Sequence, residues 1–169
     1  MTDLQSIARV TGPVAAGLFA GLSAGYNISI WPAIWQVSEL SPANLLRLQD
    51  ELYKRGARIM PVISGLSTVG YLVSASYLPA GRRTPRLLSA VLIAMVVPWT
   101  FGTMMSLNKR IGRKAKESVS RGENKDGTVD IQEAEAHEMI GKWLKLHAVR
   151  SVLSLGAFVL GVADLAGLV

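Results

Sequence analysis

The stretch LLSAVLIAMVVPWTFGTMMSLN, residues 87–108, contains no Asp, Glu, Lys, Arg or His. It exceeds the roughly 20 residues that an α-helix needs to cross about 30 Å of hydrocarbon. Two further windows share the property, Val10 to Val37 and Ile59 to Gly81. A fourth apolar stretch, from about Leu144 to the C-terminus, is long enough but carries His147, Arg150 and Asp164. Four such stretches in 169 residues, with a charged fraction of 18% and a mean hydropathy of +0.32, do not suit buried helices of a soluble core. They predict a single all-α domain over residues 1–169, an integral membrane four-helix bundle with helices near 10–37, 59–80, 87–108 and 144–167.

The segments between the spans complete this architecture. Glu39 to Arg58 reads as an amphipathic connector helix on the membrane surface, opened by Ser41-Pro42 and with Leu45, Leu48 and Leu52 on one face. Residues 109–142 form the one long hydrophilic loop, basic at KRIGRK and acidic further on. Its centre, GENKDGTVDIQE (122–133), is calcium-loop-like at Asn124, Asp126, Asp130 and Glu133, but Gly122 stands where the first acid belongs, so a turn before a helix is expected. The connector and the loop hold most of the lysines and arginines, which places both on the cytoplasmic side. The first apolar segment is too long and too interrupted, by Pro13, Asn27, Trp31 and Pro32, to be a signal h-region.

Composition narrows the chemistry. With no cysteine, thiolate metal sites and iron–sulfur clusters are excluded. Two histidines, His137 and His147, cannot assemble a zinc motif or a facial triad, and no dinucleotide, P-loop or nucleophile-elbow signature occurs. No metal and no cofactor are expected. A net charge of +6, carried in short loops beside apolar spans, points to membrane lipid as neighbour and not to nucleic acid. Gly17, Gly21 and Gly25 repeat at four-residue spacing and read first as tight packing within the monomer, with a homo-oligomer as the other use.

The polar stripe of the last helix is the candidate site. In KWLKLHAVRSVLSLGAF (142–158), Trp143, His147, Arg150 and Ser154 share one face. Ionisable groups on an inner membrane-helix face are costly unless paired and mark function by default. An imidazole, a fixed cation, amides and aromatic rings suit a flat apolar substrate with phenolic or keto oxygens. Set against this, His147 and Arg150 could instead snorkel at a helix end, with Trp143 as a belt residue. Asn27, Tyr71 and Asn108 are the candidate partners from the other helices, and Asp164, about 21 Å from Arg150 along the helix, must find a different arginine. On residues alone a non-catalytic membrane scaffold or lipid-binding protein, or a small transporter, stays open beside an enzyme.

WPAIW (31–35), PWTFGTMMSLNKR (98–110) and KWLKLHAVRSVLSLGAF (142–158), with the spacing of the four apolar segments, resemble the anthrone oxygenase-like family, the DUF1772 domain. The resemblance covers nearly the whole chain. It implies a small multi-pass membrane oxygenase, in the endoplasmic reticulum or a vesicle membrane of a fungus, acting in polyketide biosynthesis. Such an enzyme oxidises an anthrone to an anthraquinone with O2 and no recognised cofactor. Carried over, Asn108, Trp143, His147 and Arg150 become the candidate site, with His147 expected as the base and Arg150 and Asn108 holding the oxyanion; beside Trp143, the residues Met104, Thr100, Tyr71, Asn27 and Trp31 are the expected contacts of the polycyclic substrate. The cavity should open near the face bearing the 109–142 loop.

Overall fold

A computed structural model describes residues 3–37, 40–120 and 133–169, without the side chains of 118–120. Four helices, α1 (Asp3–Trp35), α2 (Pro42–Ser76), α3 (Thr84–Glu117) and α4 (Glu133–Leu165), are each long and apolar enough to cross a membrane. No strand occurs among the described residues. α1 packs against α2 and α4, and α3 against the same two, so the bundle is a closed ring of neighbours.

All four helices outrun their apolar windows, which corrects two expectations. The connector is no separate surface helix: it is the first half of α2, capped by Ser41 Oγ accepting from the Asn44 amide at 3.3 Å. Likewise the hydrophilic stretch is helical up to Ser120 and again from Glu133. The reason is a second apolar core that reaches beyond the uncharged windows, where Leu45, Leu46, Ile111, Met139 and Ile140 from outside them close around Trp31, Met104 and Leu107. Burying these side chains inside the bundle satisfies the amphipathic pattern better than a lipid surface would. Glu135 ties the extensions together, accepting from Arg110 Nη2 at 2.9 Å and Lys114 Nζ at 2.6 Å. The calcium-like loop lies outside the described residues except at Glu133.

Two helices widen where proline removes a backbone donor. Pro32 has no N–H to give the carbonyl four residues back, and the turn before it, Tyr26–Ile30, is π-helical. Pro98 follows a break at Met95, and the next turn, Thr100–Met104, is also π-helical. Each π turn inserts a residue and rotates the side chains around it, and both face the same cavity.

Packing between helices follows small residues, of which only Gly17 belongs to the expected glycine line. A Cβ on Gly70 would meet the Gly12 amide nitrogen at 2.6 Å, so α1 and α2 cross backbone to backbone there, and Ser67 Oγ donates to the Gly12 carbonyl at 2.8 Å. Of the predicted glycine line, Gly17 meets the Phe158 ring, whereas nothing lies within 4 Å of a Cβ on Gly21 or Gly25. At the opposite end from the second core, Arg86 Nε donates to Asp164 Oδ2 at 2.8 Å and its Nη1 to the Ser74 carbonyl at 2.9 Å. This is the arginine that Asp164 required.

Candidate active site

α4 supplies the polar face of the site, and its position follows from the spacing of Trp143, His147 and Arg150, all buried toward the bundle interior. They form one wall of a cavity of about 200 Å³. Phe19 and Tyr26 come from α1, Tyr53, Gly56, Ala57, Met60 and Ser64 from α2, and Val97, Thr100, Phe101 and Met105 from α3. Among the described residues Arg150 is the one charged side chain in this lining.

The wall is held by stacking and one hydrogen bond. His147 lies on Trp143 with centroids 4.4 Å apart and an interplanar angle of 22°, and Tyr26 tilts against both rings at 5.3 and 5.9 Å. Trp143 Nε1 donates to Asn108 Oδ1 at 2.8 Å, so the indole plane, and the imidazole on it, is set from α3. The Tyr26 hydroxyl donates to the Leu52 carbonyl at 3.2 Å, and Asn27 Nδ2 to the Leu144 carbonyl at 3.3 Å. His147 Nδ1 is buried without a partner among the described residues, which leaves Nε2 as the ring nitrogen available to a ligand.

Arg150 is 9% exposed and its guanidinium carbon sits 5.5 Å from the centroid of the Phe19 ring. Among the described residues no carboxylate comes within ion-pair range of it, and its Nε has no hydrogen-bond partner. A buried cation without a counterion is unfavourable, and an electron-rich oxygen brought into the cavity would relieve it. Arg150 therefore does not snorkel to an interface. It points into the apolar cavity.

The sequence-derived residues divide. His147, Arg150, Trp143 and Thr100 line the cavity; the Thr100 hydroxyl back-bonds to the Val96 carbonyl at 2.7 Å. Asn108, Met104, Tyr71, Asn27 and Trp31 lie outside this lining. Asn108 acts on Trp143. Met104 and Trp31 are fully buried in the second core, the natural place for large apolar side chains at that level. Tyr71 sits between helices, its hydroxyl donating to the Ala157 carbonyl at 2.7 Å and its ring pressed against Gly12 and Gly161. Asn27 satisfies a backbone carbonyl of α4.

Tyr26, Tyr53 and Phe19 join the lining without a distinct mark in the sequence. Tyr53, Met60 and Ser64 fall on one helical stripe, a signal hidden by the charges that make the first half of α2 look like a separate surface helix. The Tyr53 hydroxyl reaches only the Met105 sulfur, at 3.8 Å. These two side chains partition the cavity from a polar groove of about 560 Å³ lined by Asp50, Lys54, Asn108, Lys109, Arg113 and Lys116.

The chain is similar to known proteins over most of its length. Anthrone oxygenase tpcL of Aspergillus fumigatus is 26% identical across 95% of this chain and 92% of its own. The anthrone oxygenase of Claviceps purpurea is 25% identical across 95% of this chain and 87% of its own. That of Emericella nidulans is 26% identical across 96% of each. No solved structure matches the chain. The sequence model of the anthrone oxygenase family matches residues 50–160, which contain α3, most of α2 and the site-bearing part of α4, and this chain belongs to that family.

Proposed function

We propose that the protein is a cofactor-independent membrane oxygenase that converts an anthrone-type polycyclic phenol to an anthraquinone with O2, as a step of polyketide biosynthesis. The observation that carries the reading is the convergence of one imidazole and one unpaired guanidinium on an aromatic-walled cavity that is otherwise uncharged. The relatives' names support the substrate class.

The anthrone methylene is flanked by two rings and conjugated to the carbonyl, so its deprotonation gives a phenolate-like anion. Tyr26 and the Trp143–His147 stack offer faces against which such a ring system lies. His147 Nε2 takes one methylene proton while Arg150 stabilises the charge gathering on the carbonyl oxygen. The anion passes one electron to O2, giving superoxide and a carbon radical that recombine into a C–O bond, and the imidazolium returns its proton to the peroxide. His147 then removes the second methylene proton. The C–H electrons become the new carbonyl π bond, the O–O bond breaks, and the departing hydroxide takes that proton to leave as water. Anthrone plus O2 becomes anthraquinone plus water, and the substrate supplies every electron. The protein contributes a base, an oxyanion partner and exclusion of water.

Oxygen uptake by purified, chelator-treated protein with an emodin-anthrone-type substrate tests this. The expected result is uptake well above autoxidation with one O2 consumed per anthraquinone formed. Uptake no faster than autoxidation removes the oxygenase reading, and activity that disappears on chelation and returns with a metal removes cofactor independence.

A further inference from the structure

α2 and α3 touch at both ends of their length but separate over the Val96–Met104 turns of α3. The prolines are placed to produce this: Pro98 and the π turn after it displace α3 on one side, and Pro61 interrupts the donors of α2 on the other. Ala57, Pro61, Val97 and Phe101 rim the gap. All four line the cavity and are also exposed on the outside of the bundle, Phe101 at 66% and Val97 at 40%. An exposed phenylalanine beside a deep apolar cavity in the middle of a membrane span faces lipid, not water.

We propose that this gap is a lateral portal through which the ring substrate enters from the bilayer, with Phe101 as the side chain at its mouth. Depth supports it. Phe101 stands eight residues before Lys109, the first charged residue of α3 after Arg86, hence about 12 Å along the helix from that charged end. That depth lies among the acyl chains, near the middle of a hydrocarbon core of roughly 30 Å, and a flat polycyclic phenol, apolar in its rings, partitions into the lipid and reaches the gap from there. Entering edge-on between α2 and α3, it meets His147 and Arg150 on the facing wall. On the aqueous side the Tyr53–Met105 contact stands between the cavity and the groove beyond it, which favours the gap over the groove as the entrance. The portal deepens the oxygenase reading and rests on it for the substrate class.

The absence of cysteine allows a test on folded protein. Phe101→Cys is purified in nanodiscs and modified after folding with a methyl thiosulfonate or a bulky aryl maleimide, and Lys109→Cys, in the groove, is treated in parallel. Emodin-type anthraquinone, the product class, should slow maleimide labelling of the introduced cysteine at 101 severalfold and leave that at 109 unchanged. This readout requires no turnover, so it stands apart from any failure of the oxygenase reading. With anthrone substrate, KM should rise with the size of the group at 101 and return on reduction of the methylthio adduct, and modification at 109 should not change it. In the unmodified protein the rate should follow substrate mole fraction in the lipid, falling as lipid is added at constant bulk concentration. Protection and inhibition at 109 without either at 101 would place the entrance in the groove, and a rate indifferent to added lipid would also overturn the portal.

Discussion

Asn108 holds the Trp143 indole through a 2.8 Å hydrogen bond and does not itself face the cavity. Its influence on chemistry passes through the ring that carries His147. Asn108→Ala leaves a buried N–H without an acceptor, at a cost of about 1–3 kcal/mol in stability. It should lower kcat more than it raises KM. Trp143→Phe keeps a stacking surface and loses the bond. The double variant should be no worse than the poorer single one, and steady-state kinetics on the four proteins checks this, because two residues acting through one contact are not additive. Full additivity would detach Asn108 from the stack.

His147→Ala should reduce turnover by roughly 10²–10⁴-fold, the usual contribution of a positioned base. Anthraquinone binding, read by quenching of tryptophan fluorescence, should persist with weakened affinity. A purified variant that keeps full turnover above autoxidation would take the base assignment away from this imidazole.

The Arg86–Asp164 pair lies at the other end of the bundle from the stack, nearly buried on both sides at 7% and 11% side-chain exposure. Arg86→Met leaves a buried carboxylate unpaired and should cost about 3–5 kcal/mol, whereas Arg86→Met combined with Asp164→Leu should recover most of the loss. Thermal unfolding in detergent reads the stability. The double variant, once folded, should retain its KM, since neither side chain borders the cavity.

Close approach rather than glycine spacing should govern the α1–α2 crossing. Gly70→Ala drives a methyl into the Gly12 backbone at 2.6 Å and should destabilise by about 1–3 kcal/mol. Gly21→Ala and Gly25→Ala, with open space around each, should be neutral or slightly stabilising through helix propensity. Comparable losses at Gly21 would show that this face is covered in the membrane, as a homo-oligomer requires.

These contrasts mark what sequence could and could not disclose. Uncharged windows reveal the spans because a charge in hydrocarbon is prohibitive, and the stripe at Trp143, His147 and Arg150 is legible because few polar residues occur on an apolar helix. Tyr71 and Trp31 look equally suited to a substrate, yet both are consumed by packing. A tyrosine hydroxyl that finds a backbone carbonyl, as Tyr71 does at Ala157, carries no sequence mark of it. The Asn108 amide suits an oxyanion as well as it suits an indole, and its rotation about α3 turns it to the indole. Tyr53 is hidden in the sequence for a different reason. The charged residues around it suggested a surface helix, and the second core that draws those turns into the bundle is assembled from residues distant in sequence.

Arg150 gives the sharpest separation of function from stability. A buried guanidinium with no carboxylate among the described residues within ion-pair range is a poor structural element, because its desolvation is not offset by a partner. Replacing it with methionine fills a similar volume and removes the uncompensated charge. Arg150→Met should therefore unfold at an equal or higher temperature than the parent while its turnover falls by roughly 10²–10³-fold, the loss expected when a group facing developing negative charge is deleted. Arg150→Lys keeps the charge without the planar fork and should recover only part of the rate. Thermal midpoints and anthraquinone formation measured on the same detergent preparations decide the matter. A methionine variant that is both less stable and fully active would make Arg150 a packing residue, and one that gains stability as it loses turnover identifies strain kept for the chemistry.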